Sequence, residues 1–287
     1  MKSKVQTKKL YCVFNLLFGI LVLLFLGINI KKISVEELKL NITMAYIIQV
    51  FGVAVFVHAI KALRLYIVLF GNKFSFRKYL GQYIKTAAVN LLLPFKCGEI
   101  YRGLCIGELI GTYAEGYIIV IFDRFVDTLA LITMVILAGF LFGFEITYTY
   151  LALMVFLLLM IVIYWLFIPL YQYWNHFLVF RKTSEHTLKG LQFLDICKKA
   201  FGHINEIVKG RFIILYLLSL LAWGLEIGYF LIFSRTTGKV DISTYLSDVL
   251  TGTLNSNNVI YMMACLTLFL LCGVALGITD ISKKEGK

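Results

Sequence analysis

The sequence predicts an all-α polytopic membrane protein with about six transmembrane helices, a re-entrant helical hairpin, and both termini in the cytoplasm. Two observations predict this class. Of the 287 residues, 60% are hydrophobic and only 15% are charged, whereas soluble domains average about 45–50% apolar and about 25% charged residues. The apolar residues form long runs, and lysines and arginines concentrate in the connections between them, as the positive-inside rule describes. We therefore expect a single integral-membrane domain over residues 1–287.

The first apolar run, Leu10–Ile30, predicts the first span. It is about as long as a helix must be to cross a bilayer, and four lysines precede it, which predicts a cytoplasmic N-terminus. A signal peptide is the alternative interpretation. The run is long for a signal peptide, however, and no A-x-A-like cleavage site follows it.

The second predicted span, Ile42–Phe70, carries cations near its end. Lys61 and Arg64 lie three residues apart, so they share one face of a helix. Either their long side chains reach the cytoplasmic interface, or Arg64 faces the interior of the protein and holds a phosphate. The basic stretch 73–78 that follows predicts a cytoplasmic loop.

Two short apolar segments around Pro94 and Gly98 predict the re-entrant hairpin. Tyr79–Leu93 and Glu99–Ile110 are each shorter than the roughly 20 residues that a spanning helix needs. A single irregular span with a proline kink is the alternative. The charge distribution favours the hairpin. The next two apolar runs bring the basic segment 172–211 to the cytoplasmic side only if the hairpin does not cross the membrane.

The remaining segments follow from the same rules. Phe125–Phe144 and Tyr150–Tyr171 are predicted spans, and residues 172–211 are a basic, amphipathic connection expected at the cytoplasmic surface. Phe212–Phe233 and Val259–Ile278 complete the spans, with lysines after the last one predicting a cytoplasmic C-terminus. Asp241–Asn258 is too polar to span, so it is either a shorter re-entrant element or an outer loop.

The break in the hairpin carries the charges that indicate a binding site. Broken backbone inside a membrane must be buried in protein or line a wet cavity, and charged residues there are usually functional. A helix that starts at Gly98 presents its N–H groups to an anion, and Lys96 and Arg102 add positive charge suited to a phosphate. Glu99 can pair with Arg102 at i,i+3 when no ligand is bound. A purely structural buried ion pair is the alternative.

Four further charged residues fall inside apolar runs. Asp123 and Asp127 lie one helical turn apart, and Arg124 reaches Asp127 at i+3. They are expected to act as a charge relay or as counter-charges for the hairpin, with a cluster at the mouth of a helix as the alternative. Glu226 lies mid-run, and its expected partner is Arg64, Lys85 or Arg102.

Nothing in the sequence indicates a catalytic or metal site. The six cysteines form no C-x-x-C pair and the four histidines have no ligand spacing, so we expect free thiols, no metal and no cofactor. The net charge is +12, and the lysines and arginines lie mostly in the connections, which favours anionic lipid headgroups over nucleic acid as partners.

Three motifs carry a resemblance to a known family. They are N-x-x-L-P-x-x-x-G-E-x-x-R, matched by Asn90, Leu93, Pro94, Gly98, Glu99 and Arg102; the acidic-Arg-x-x-Asp motif at Asp123–Asp127; and Trp-x-x-Glu at Trp223 and Glu226. At these residues the chain resembles the lysylphosphatidylglycerol synthase transmembrane region, also called the flippase-like domain. The family's second half usually carries a Pro- and Gly-rich segment ending in Gly-x-x-Glu, where this chain has TGTLNSNN.

The resemblance implies a membrane protein that moves a lipid headgroup across a bacterial or archaeal cytoplasmic membrane. Its substrate would be an anionic phospholipid or a polyisoprenoid-linked envelope precursor, with Asn90 and the charged residues of the three motifs at its site. A soluble aminoacyltransferase is not expected, and so neither is lysyl transfer. Two alternatives stay open: a non-transporting accessory protein of an envelope-synthesis system, with a synthesis partner or a second copy bound, and an integral-membrane lipid transferase.

Overall fold

The computed structural model describes residues 44–72, 74–93, 98–142, 148–180, 185–237 and 256–285, together with Ile20. Within them the chain forms eight α-helices and no strand: α1 (Met44–Val68), α2 (Phe76–Leu92), α3 (Gly98–Ile110), α4 (Tyr113–Phe142), α5 (Tyr148–Phe180), α6 (Glu185–Gly210), α7 (Phe212–Thr237) and α8 (Ser256–Glu285). Of the predicted first span, only Ile20 is among the described residues. Of the polar segment Asp241–Asn258, only the residues from Ser256 onward are described. Pro94 and Lys96 also lie outside them.

Four of the described helices are long and apolar enough to cross a membrane. Their spanning segments are Ile47–Val68, Tyr150–Phe180, Phe212–Phe230 and Ile260–Gly277. Helix α4 has 30 residues, about 45 Å of helix, but carries three charged side chains near its middle. The chain is therefore a multi-pass membrane protein that is helical throughout its described secondary structure, as predicted, while the number of spans and the side of the termini stay predictions.

Helices α2 and α3 form an antiparallel hairpin. Ser75 and Arg77 at the start of α2 line the same groove as Glu108 and Leu109 at the end of α3, and at the opposite end the arms meet around Gly98. A single kinked helix would place these ends apart. The arms of 17 and 13 residues are about 26 and 20 Å long, each shorter than a hydrocarbon core of about 30 Å.

Glycines allow the hairpin to pack closely on itself and on α4. A Cβ atom on Gly98 would lie 2.3 Å from the Asn90 Cα, and one on Gly116 would lie 2.4 Å from the Gly107 backbone nitrogen. Small residues of this kind let helix backbones approach within a membrane domain. Gly111, with φ +88°, forms the turn from α3 into α4, where its lack of a side chain permits the left-handed backbone.

Helices α5 and α6 form a second antiparallel pair, which differs from the sequence prediction. The span was expected to end at Tyr171, but α5 continues to Phe180, because residues 172–180 remain largely aromatic and apolar. Helix α6 then folds back along it: the Phe201 and Phe167 rings stack at 4.2 Å, and Tyr164 donates a hydrogen bond to Asn205 at 3.1 Å. The predicted connection over 172–211 is therefore the end of one helix plus a single second helix.

Helix α4 lies at the centre of the bundle. It packs against α3, α7, α6 and α5, while α1 packs mainly against α7 and α8, and α8 also packs against α2. Apolar residues of α1, α2, α4, α7 and α8 share one core. This arrangement brings charged side chains from α1, α3, α4 and α7 toward one another in the interior.

Candidate functional site

Arg64 of α1 is buried at the centre of the bundle, with 1% of its surface exposed. Its Nε and Nη2 atoms each donate to one oxygen of Asp123 at 2.9 Å, and its Nη1 donates to Asp127 and, at 2.8 Å, to the Ser219 hydroxyl. This two-pronged pairing is the geometry in which a guanidinium binds a carboxylate best. The interfacial interpretation of Arg64 is therefore wrong, and its side chain faces the interior.

The acidic motif of α4 supplies the counter-charges. Asp123 and Asp127 lie on one face of the helix, and Arg124 bridges them, donating to Asp127 Oδ2 and Asp123 Oδ2 at 3.0 Å each. Asp123 also lies 3.7 Å from the Arg102 Nη1 atom. The expectation that these carboxylates face the charges of the hairpin agrees with this geometry.

The hairpin adds Glu99, Arg102 and Asn90 to the same site. Arg102 Nη1 lies 3.2 Å from Glu99 Oε2, the i,i+3 pair that the sequence suggested, and Arg124 Nη1 lies 3.4 Å from Glu99 Oε1. The Asn90 side-chain amide donates to Glu99 Oε1 at 2.8 Å. Because Asn90 ends one arm and Glu99 begins the other, this hydrogen bond ties the arms together beside the break.

We name Arg64, Glu99, Arg102, Asp123, Arg124 and Asp127 the charge cluster. Its three guanidinium groups balance its three carboxylates, which lowers the large cost of burying charge.

The cluster has a tight half and a loose half. The Arg64–Asp123 contacts are 2.9 Å with side chains at most 2% exposed, whereas the Glu99 contacts to arginine are 3.2–3.4 Å with Glu99 14% and Arg124 18% exposed. The buried Nε atoms of Arg102 and Arg124 have no hydrogen-bond partner among the described residues. The loose half therefore keeps guanidinium donors that a second anion could use.

Glu226 forms a separate ion pair that sequence reasoning did not anticipate. Its Oε2 lies 2.8 Å from Lys61 Nζ, and that ammonium also lies 5.2 Å from the centre of the Trp223 ring. The expected partners of Glu226 were Arg64, Lys85 and Arg102, and that expectation is wrong. Lys61 stands one turn before Arg64 on α1 and pairs with α7 through this carboxylate. Lys85 is exposed, with its ammonium 5.4 Å from the Tyr101 ring.

Ser219 is the member of the site that the sequence analysis missed. It hydrogen-bonds both Arg64 and the Leu215 carbonyl. It lies two helical turns before Glu226 in an otherwise apolar run, so the two share a face of α7. A polar pair at that spacing was the signal that could have identified it.

The loose half has a donor arrangement suited to an oxyanion. Two guanidinium groups from α3 and α4 contact the two oxygens of Glu99, and guanidinium groups bind phosphate oxygens in the same way. A phosphate group resembles the Glu99 carboxylate in its negative charge and in the hydrogen bonds that it accepts. Pro94 and Lys96, also predicted for this site, lie outside the described residues, and their role stays a prediction.

Comparison with known proteins supports the motif evidence. Residues 12–254 match the family described as "Lysylphosphatidylglycerol synthase TM region". No curated protein and no solved structure matches the chain. The matched range includes all three motifs and every member of the charge cluster, and it covers most of the chain. The chain therefore belongs to the family of the lysylphosphatidylglycerol synthase TM region.

Proposed function

We propose that this protein moves the headgroup of an anionic lipid across the cytoplasmic membrane, as a flippase or scramblase. The substrate is a phospholipid or a lipid-linked precursor of the cell envelope. Membership in a family of lipid-related membrane domains supports the substrate class. The loose half of the charge cluster supports the site.

The main support for the proposal is that a lipid phosphate could replace the Glu99 carboxylate at its arginine partners. Glu99 is the most weakly held carboxylate of the cluster that still contacts two arginines. A lipid phosphate that entered beside the break would replace Glu99 at Arg102 and Arg124 and would gain the two buried Nε donors. The Arg64–Asp123 pair stays in place during this exchange, because its closer and more buried contacts hold α1 to α4.

The short hairpin supports a path for the headgroup. Because each arm is shorter than the hydrocarbon core, the hairpin tip would lie within the membrane, where Glu99 and Arg102 reach the charge cluster. The polar headgroup would cross in the protein interior while the acyl chains stay in the surrounding lipid. In this scheme the hairpin does not cross the membrane, about six helices do, and both termini are cytoplasmic.

The Lys61–Glu226 pair serves as a second, independent ionic link between helices. It joins α1 to α7, the two helices that also supply Arg64 and Ser219 to the cluster. An ion pair of this kind keeps α1 fixed while Glu99 exchanges partners. Glu226 therefore has a positioning role and does not contact the lipid.

The test is lipid translocation in liposomes. Purified protein is reconstituted with fluorescent phosphatidylglycerol, and a membrane-impermeant quencher is added. We expect quenching beyond half of the probe with the wild-type protein, and loss of that excess in Arg102→Ala. The matched control is Lys199→Ala, which removes an exposed cation of α6 and should leave translocation unchanged. Equal translocation by wild type and Arg102→Ala would refute the assigned site.

An accessory role is the second candidate, and one observation favours it. The charge cluster is internally neutral and can hold the helices together without any ligand. In that case, the folded protein moves no lipid alone and co-purifies with an envelope-synthesis partner. The proposal also assigns no chemical reaction to the chain, so lipids recovered from the liposomes should be chemically unchanged. A modified lipid would instead favour a transferase.

A further inference from the structure

A second polar site lies at the mouth of the hairpin, away from the charge cluster. It is a groove of about 1030 Å³ between the start of α2, the end of α3 and the second half of α8; we call it the mouth groove. No member of the charge cluster lines it. Along α2, Asn90 lies about 20 Å of helix beyond Arg77, so the two sites occupy opposite ends of the hairpin.

The mouth groove is strongly basic. Among the described residues, Arg77, Lys78 and Lys85 line it from one face of α2, and Glu108 of α3 is the acidic residue beside them. The charges of these four described side chains sum to +2. Such a surface attracts an anion, and both Arg and Lys side chains bind phosphate groups.

The start of α2 adds to this positive potential. Ser75, the residue at its N-cap, lines the groove and makes no side-chain capping hydrogen bond. The first N–H groups of a helix are then available to an anion, and the helix dipole places positive potential at the same point. The three cations therefore stand beside a helix end that favours the same charge.

One wall of the groove is apolar. Phe74, Leu109 and Leu276 line it beside the cations, and Arg77 donates a hydrogen bond to the Leu276 carbonyl at 2.8 Å, which holds α8 against α2. A free phosphate ion gains nothing from such a wall. A lipid headgroup joined to its acyl chains places apolar atoms against it.

The floor of the groove is open at Gly81. A Cβ atom built there would meet no other atom within 4 Å, so the glycine leaves room above α2 between the cations. Gln82 also lines the groove.

We propose that the mouth groove binds the phosphate-bearing headgroup of an anionic phospholipid, separately from the charge cluster. Arg77, Lys78 and Lys85 neutralise the phosphate, and the apolar wall contacts the first part of the acyl chains. The inference concerns binding alone. It does not depend on the proposed function, because a groove of this kind can bind lipid in a protein that moves none.

The test is lipid binding measured by native mass spectrometry of the purified protein. Phosphatidylglycerol and phosphatidylcholine are titrated separately into protein that carries Arg102→Ala, so that the charge cluster does not supply the first lipid site, and the affinity of the first bound lipid is compared between groove variants in this background. We expect the protein with an unaltered groove to prefer phosphatidylglycerol. Gly81→Leu fills the open floor with a side chain, and the double variant Lys78→Gln/Lys85→Gln removes two cations. Each variant should lower the affinity for the first bound phosphatidylglycerol by about tenfold or more.

The control is Gly202→Leu in α6, another helical glycine whose Cβ would meet nothing within 4 Å. It should bind phosphatidylglycerol like the protein with an unaltered groove. Unchanged binding in both groove variants would overturn the proposal, as would equal affinity for the two lipids. Displacement of the first lipid by millimolar inorganic phosphate would also overturn it, since the groove would then recognise a free anion.

Discussion

Arg64 is the residue on which the charge cluster depends most. Its guanidinium contacts both carboxylates of the α4 motif and Ser219 of α7. Arg64→Met keeps the side-chain length but leaves Asp123 and Asp127 buried without their main cation, which should lower the free energy of unfolding by about 3–5 kcal/mol. Thermal or SDS unfolding of the purified protein measures this.

The control for that prediction is Lys199→Met. Lys199 pairs with Asp195 at the exposed surface of α6, where ion pairs contribute little, so its loss should leave unfolding unchanged. Equal unfolding of Arg64→Met and wild type would contradict the assignment of Arg64 as the central cation.

The two halves of the cluster should respond differently to loss of a carboxylate. Asp123→Asn weakens closely held contacts to Arg64 and Arg124, whereas Glu99→Gln affects longer contacts and retains a group that Asn90 can bind. We expect Asp123→Asn to cost about 3 kcal/mol or more, and Glu99→Gln to cost less than about 2 kcal/mol. The same unfolding measurement ranks them, and the reverse order would contradict the division into tight and loose halves.

At the scale of elements, the close crossing of α2 and α3 determines where Glu99 points. Gly98→Ala places a methyl group 2.3 Å from the Asn90 Cα, and backbone atoms cannot rotate away as a side chain can. We expect a destabilisation of about 1–3 kcal/mol and reduced lipid movement, because the Asn90–Glu99 hydrogen bond is lost. Gly52→Ala in α1, whose Cβ meets nothing within 4 Å, is the control and should change neither quantity.

Contacts within an element were predictable from the sequence, whereas between elements the sequence suggested that the α4 carboxylates face the hairpin but not most of the specific pairs. Helical spacing alone suggested the Glu99–Arg102 and Arg124–Asp127 pairs, and both occur. The Lys61–Glu226 pair depends on how α1 and α7 are rotated and shifted against each other, which packing decides. For the same reason, Ser219 could be noticed on α7 but not assigned to Arg64.

The end of α5 shows a second limit of the sequence. Charge counting places a boundary where polar residues begin, but a helix ends where its backbone hydrogen bonding ends. Residues 172–180 include polar side chains, but most of the segment is aromatic or apolar and its backbone stays hydrogen-bonded. The helix therefore continues to Phe180. The composition of the whole chain was sufficient to predict the class of fold. Apolar runs long enough to cross a bilayer can adopt few structures other than membrane helices.

At the scale of the whole molecule, the hairpin should enter and leave the membrane on one side. Single cysteines at Ser75, before α2, and at Thr112, after α3, should both react with a membrane-impermeant thiol reagent applied from the cytoplasmic side. The background protein would have its native cysteines replaced. Reaction of the two positions from opposite sides would mean that the hairpin crosses the membrane, and the predicted number of spans would then change.

The measurement that tests the central claim most directly is the ratio of translocation rates for phosphatidylglycerol and phosphatidylcholine in liposomes. The claim is that Arg102 and Arg124 accept an anionic headgroup in place of Glu99. Wild-type protein should move phosphatidylglycerol faster, and Arg102→Ala should move both probes at the rate of protein-free liposomes. The claim would be contradicted if wild-type protein moved both lipids at the same rate and Arg102→Ala moved them as fast as wild type.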